Sequence, residues 1–304
     1  MPATNTPGVS TSTGTSPREA AVQAAVREIS HIATLPEITL KIVELVENPK
    51  STAQDLNKII STDPALCARI LKVVNSSFYG LPGQIGSINR AIVMLGLNAV
   101  KNIAIAASLA KMFRGGDIAP GFAARDLWNH AIATAAIAKV LADTLKFALS
   151  DEAFLAGLIH DIGVMVEMQS DRNKLVEVVE KVAPNADGVP SSDFLAAEEQ
   201  VFGATHQDFG MGLCEKWKFP KSFMTVCGYH HRPLEAQPEL RMLTSMIYVA
   251  DRLAAEATGG FRLDLTSTDM DPAVLDQLGL SAEKLADVRN NLESHLKNVA
   301  AVLG

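Results

Sequence analysis

Cysteine is scarce: the 304 residues contain three, Cys67, Cys214 and Cys227, with no CxxC spacing among them. An odd, scattered set excludes a disulfide framework or a zinc ribbon, fits a reducing compartment, and leaves the three as small buried hydrophobes. An excess of basic residues is also missing. The formal net charge is -7 and the pI is about 5.5, so broad attraction to nucleic acid or anionic lipid is not expected. No apolar run reaches membrane-spanning length before Lys, Asn or Asp interrupts it, and MPATNTPGVSTSTGTSP lacks the charged start and apolar stretch of a signal peptide. These absences lead to the expectation of a soluble, cytoplasmic chain that does not engage a membrane. Neither GxxxxGK followed by Ser or Thr nor GxGxxG occurs, so ATP, GTP or NAD binding of the familiar kinds has no support. GGDI at 115–118 is followed by Ala and Pro and reads as a turn. No segment alternates as a strand does, and none repeats.

What is present is apolar content, 48% of residues, spaced for helices. Residues 1–17 are Thr, Ser, Pro and Gly with little to bury, and read as a flexible tail. From Pro17 onward apolar positions recur at helical spacing: Val22, Val26, Ile29; Ile38, Ile42, Leu45, Val46; Leu56, Ile59, Ile60. Thr52 with Asp55 resembles a capping box, Asp63 precedes Pro64 at a helix start, and Ser87 opens a further helix. YGLPGQIG (79–86) is a Gly/Pro turn, and RGGDIAPG (114–121) reads as the boundary of an N-terminal helical subdomain, 18–113. Helical stretches follow at 122–147, 151–182, 192–217, 220–231 and 239–257, making a second subdomain of 120–257. A polar loop and a pair of helices complete 258–304. The fold class expected is all-α.

Five of the 7 histidines, His130, His160, His206, His230 and His231, lie within about a hundred residues of the second half, each on a different helix or at a helix end save the adjacent last two. A metal centre built by packing helices needs that spread, since one helix presents one or two ligands to a point. His160 and Asp161 interrupt the apolar run AGLIHDIGVM. Adjacent residues leave a helix about 100° apart, so this pair can share a cation only if other helices bring the remaining ligands. Asp126, four residues before His130 on the same face, is a further ligand, an acceptor for the imidazole N–H, or a solvated residue near a helix start. Asp251, inside the aliphatic SMIYVADRLA, is a buried-looking carboxylate that needs a partner or a cation. A mixed His/Asp set suits a divalent Fe, Mn, Zn or Ni ion. Alone, each histidine reads as a hydrogen-bonded core residue, and His31 and His295 keep that reading.

The motifs LWNHAIATA, FLAGLIHDIG, VFGATHQDFG, GYHHRP and YVADRLA, in this order, resemble the HD superfamily of metal-dependent phosphohydrolases, and in particular its HD-GYP branch, which hydrolyses cyclic dinucleotides. LPEITLKIVELVENP, ISTDPALCARILKVVNSSFYG and SINRAIVMLGLNAVKNIAI are similar to the HDOD family, the HD-related output domain of bacterial signalling proteins. The likeness spans about residues 30–257. It implies a multi-helix HD-like bundle with an N-terminal helical subdomain. It also implies that His130, His160, Asp161 and Asp251 match the defining metal ligands, and that His206, His230 and His231 match further ligands of the HD-GYP site. Asp126 sits where that branch carries an acid. One or two ions follow from such a set. Two features depart from the HD-GYP pattern: Val164 stands where a Lys follows HDIG, and RPLEAQPEL replaces the Gly-Tyr-Pro signature after the double His. Loss of that Lys removes a cation that would offset charge building on phosphate oxygens.

The resemblance therefore leads to a signalling output and interaction module with a His/Asp metal site, other signalling proteins as partners, and no cyclic-dinucleotide hydrolysis. The alternative is an active metal-dependent phosphohydrolase, a phosphodiesterase or nucleotidase, in which His160 and Asp161 help hold a cation that activates a water. A third reading, a helix-turn-helix in DLNKIISTDPALCARILKVVNSSF, gives way to core packing, because only Arg69 and Lys72 are basic on the second helix.

Overall fold

The computed structural model describes residues 15–32, 37–48, 50–110, 112–113, 117–119, 122–148, 150–258 and 261–303. Most of the expected tail, residues 1–14, and the side chains of His31 and His295 lie outside the described residues.

The chain forms α1 (Pro17–Ile32), α2 (Glu37–Glu47), α3 (Ala53–Ile60), α4 (Pro64–Val74), α5 (Ile88–Leu95) and α6 (Leu97–Leu109). Their starts follow from local chemistry. Thr52 Oγ1 accepts from the Asp55 N–H at 3.2 Å while the Thr52 N–H donates to Asp55 Oδ2 at 3.0 Å. Asp63 Oδ1 accepts from the Leu66 N–H at 2.9 Å with Pro64 in first position, and Ser87 Oγ accepts from the Arg90 N–H at 3.2 Å. Each such cap satisfies a helix N–H that has no partner within the helix, and contributes about 1 kcal/mol. The Gly/Pro turn after α4 is closed by Asn75, whose Nδ2 donates to the Ile85 carbonyl at 2.8 Å and whose Oδ1 accepts from the Ile85 N–H at 2.6 Å. Helix α6 is the central strut of this region, buried almost throughout, with α2, α4 and α5 packed around it.

After α6 the chain makes a short antiparallel pair, β1 (Asp117–Ala119) with β2 (Phe122–Ala123). The sequence holds no alternation there because the strands are too short to carry a period. Then come α7 (Ala124–Thr144), α8 (Ser150–Ile159), α9 (Ile162–Ser170), α10 (Arg172–Val182), α11 (Phe194–Phe202), α12 (His206–Lys216), α13 (Lys221–Tyr229) and α14 (Pro238–Thr258). Helices α15 (Pro272–Leu278) and α16 (Ala282–Leu303) finish the chain. The stretch expected as one helix over 151–182 is three, broken at His160–Asp161 and at Asp171, and 192–217 is two, broken at Gly203. Helix α7 packs on α8, α14 and α16; α12 packs on α9 and α13; and α1 lies against α9 and α12. The whole is an all-α, HD-like bundle. Among the described residues no helix is long and apolar enough to cross a membrane.

Candidate metal centre

The break at His160–Asp161 decides the geometry. Asp161 has φ -97° and ψ 18°, outside the helical range, so the two side chains are released from the angle an unbroken helix would impose. They converge instead, with His160 Nε2 3.2 Å from Asp161 Oδ2. What brings a second helix to this point is the glycine that follows. A Cβ on Gly163 would lie 1.8 Å from the His206 carbonyl oxygen and 2.8 Å from the Gly210 nitrogen, so α9 meets α12 backbone to backbone only because no side chain intervenes. Gly157 does the same between α8 and α7, where a Cβ would lie 2.8 Å from the Ala135 Cα.

Around Asp161 the structure gathers every histidine the sequence singled out. Oδ2 faces His160 and, at 3.9 Å, His130 Nε2. Oδ1 faces His230 Nε2 at 3.2 Å and His206 Nε2 at 3.8 Å. Asp251 Oδ1 lies 3.0 Å from His130 Nε2 and 3.8 Å from His160 Nε2. His231 Nε2 is 3.1 Å from His206 Nε2. Two donor groups result, His130–His160–Asp251 and Asp161–His206–His230–His231–Asp264, each with its ligand atoms within 4.8 Å of one another. Apart from the half-buried His231, these residues are buried. Asp126 belongs to neither group: its carboxylate accepts from the Ala123 N–H at 3.0 Å and caps α7, as an acid in a first helical turn does. Val164 is fully buried among apolar neighbours.

The second nitrogen of three imidazoles is spoken for. The Nδ1–H of His160 donates to the Gly157 carbonyl at 2.7 Å, that of His230 to the Cys227 carbonyl at 3.1 Å, and that of His206 to Glu198 Oε1 at 2.9 Å. Each bond holds a hydrogen on Nδ1 and aims Nε2 at the centre, the orientation a metal ligand needs. Glu198 also accepts from the His206 backbone N–H at 3.1 Å. Burial pushes the Glu198 and Glu167 carboxyls well up, and nearby carboxylates add to it.

The donors are left unsatisfied by the protein itself. Both oxygens of Asp161, Oδ2 of Asp251, both oxygens of Asp264 and Nε2 of His160 are buried without a hydrogen-bond partner. Burial pushes the Asp161 and Asp251 carboxyls up, but the facing imidazoles outweigh it and hold both well below the usual carboxylate range. Buried charge of this kind costs several kcal/mol unless compensated. Imidazole nitrogens and carboxylate oxygens converging on two points fit divalent cations, and the two Asp161 oxygens, one toward each donor group, fit a shared ligand between them.

Sequence reasoning missed Asp264, Glu198 and Glu167. Asp264 stands in the loop after α14, where polar residues are ordinary, and Glu198 sits beside Glu199 on a helix of mixed composition; Glu167, an acid in the apolar run IGVMVEM of α9, carried the same signal as Asp251.

The HDOD domain model matches residues 32–233, which takes in the histidines and Asp161 but ends before Asp251 and Asp264. An HDOD domain protein of unknown function from Geobacter sulfurreducens superposes with a TM-score of 0.75 at 24% identity, covering 93% of this chain and 98% of that one. A Marinobacter aquaeolei protein with the provisional name of signal transduction protein gives 0.74 at 23% identity, over 94% of this chain and 65% of that one. An uncharacterized protein of Treponema pallidum is 26% identical over 224 residues, 73% of this chain and 42% of that protein, so the chain spans less than half the length of that curated relative. With the histidine order and the helix break at His160–Asp161 explained by one bundle, and the family model matched over most of the chain, this protein belongs to the HDOD domain family.

Proposed function

We propose that the protein is a signal-transduction output and interaction module whose His/Asp centre holds one or two divalent ions, of Fe, Mn, Zn or Ni, and that it does not hydrolyse cyclic dinucleotides. The observation that carries this reading is Asp161: buried, without a hydrogen-bond donor, and ringed by four imidazoles. His130, His160 and Asp251 would hold one ion, and His206, His230 and His231 would face the other, with Asp161 between. When bound, such a cation supplies Lewis acidity and charge neutralisation. The chain's own residues do the rest. Glu198, Gly157 and Cys227 orient imidazoles, α8 is locked to α7 through Gly157, and α9 to α12 through Gly163.

Two features weigh against phosphodiester chemistry. The residue after HDIG is a buried valine, which offers a phosphate no charge, and the chain after the double His turns into a 3-10 turn at Pro233–Glu235 in place of a Gly-Tyr-Pro loop. Among the described residues the exposed large apolar side chains are Leu40 on α2 and Val93 on α5, with Val93 75% exposed. We infer that the N-terminal helices, residues 18–113, where these two side chains lie, are the partner-facing part and 120–257 the metal-holding part of a protein working in the cytoplasm.

Elemental analysis of protein purified without added metal tests the reading. Wild type carrying metal, with His160→Ala and Asp161→Ala both depleted yet folded, supports it; wild type and variants equally metal-free overturn it. Turnover of cyclic dinucleotides, nucleotides or a chromogenic phosphodiester by the metal-loaded protein would replace it with the hydrolase reading.

A further inference from the structure

Residues 261–271, before α15, pass over the centre. Phe261 is buried against it, its ring centroid 5.9 Å from that of His130, 5.0 Å from Phe122 and 6.4 Å from Phe194. A tight turn follows, closed by the Leu265 N–H donating to the Arg262 carbonyl at 3.0 Å. Asp264 stands within that turn, its side chain wholly buried and Oδ2 3.3 Å from His231 Nε2. Further along, the segment is tied to α14: Arg252 Nε donates to the Asp269 carbonyl at 3.2 Å, and the Asp271 N–H donates to the Tyr248 hydroxyl oxygen at 3.1 Å.

Neither oxygen of Asp264 has a hydrogen-bond partner. One of these oxygens also falls within 4.8 Å of the ligand atoms of Asp161, His206, His230 and His231. We propose that Asp264 is a metal ligand at this second subsite, and that the ion it binds holds the 261–271 strap closed over the centre. The inference rests on the metal-holding reading above and deepens it. A catalytic ion keeps a position open for water or substrate, whereas a structural one is enclosed by protein donors. Asp264 fills a position that an incoming phosphate would need, and Phe261 walls the centre beside it. The strap thus couples the presence of metal to the surface formed by the loop after α14.

The test counts metal and probes the strap separately. The full chain is loaded with Mn²⁺ or Zn²⁺, desalted and assayed for bound ion, beside Asp264→Asn checked for helical content. The expected result is two equivalents in wild type, with one of them bound about 10- to 100-fold more weakly in the variant. Equal stoichiometry and affinity in both proteins would overturn the proposal while leaving the metal reading intact; a wild type that binds no metal would overturn both. Trypsin cleavage after Arg262, followed by mass spectrometry on wild type alone, keeps the proposal testable if the variant does not fold. Bound metal should slow that cut by about tenfold when free ion exceeds its dissociation constant about tenfold. An unchanged rate with metal demonstrably bound would sink the idea.

Discussion

Several buried or half-buried polar groups in the helices up to Leu109 are answered by nearby main chain; around Asp161, in the helices after Ala124, they face one another. Lys101 illustrates the first region. Its ammonium is buried against α2 and donates to the Leu45 carbonyl at 3.0 Å, and burial lowers its pKa. Ser108 donates to the Ala104 carbonyl at 2.8 Å, and Asn75 closes its own loop. Asp161 illustrates the second, with two bare oxygens among imidazoles. The first arrangement needs nothing from outside, whereas the second is incomplete until charge is supplied.

Substitutions can break this contrast in graded ways. Gly163→Ala should have the largest effect: with a backbone oxygen 1.8 Å from the new Cβ, α9 and α12 must part, at a cost of about 3 kcal/mol or more. Urea unfolding would measure it, and a near-native midpoint would contradict the close approach. Asp161→Ala should leave the helices in place but lower metal affinity by more than about 100-fold, since it removes a donor shared by both groups and not merely an outer partner. Equilibrium dialysis reads that change. Chelation of the wild type should lower stability by about 2.7 kcal/mol relative to protein held with ion at about 100 times its dissociation constant. The loss should vanish in Asp161→Ala.

Glu198→Gln should be milder. It keeps the size of the side chain but weakens its hold on His206 Nδ1, and affinity should fall about 10- to 100-fold with the fold intact. Thr52→Ala is the smallest and sharpens the comparison from the other side. Loss of its cap should cost about 1 kcal/mol in denaturant titration and leave metal content unchanged.

The caps at Thr52, Asp63 and Ser87 were legible because capping is local, reading only three or four residues ahead. The histidines and Asp251 were legible because polar residues stand out in apolar helices. The helix break at His160–Asp161 was not: the residues around it are apolar enough to continue a helix, and their interruption reflects packing of α8 on α7 and of α9 on α12 at once. The sequence left Asp126 open between a ligand, an acceptor for the His130 imidazole and a solvated residue; its carboxylate instead accepts the N–H of Ala123, just before α7.

By itself the sequence determined the all-α class, the local helix starts and the set of imidazoles, since period, capping and residue chemistry act over short range. Tertiary structure alone decided that adjacent His160 and Asp161 converge, that Gly163 must lack a side chain, and that Asp264 returns to the centre from a polar loop. Those outcomes depend on which backbones approach in space, and a close approach leaves no periodic mark on the chain that makes it.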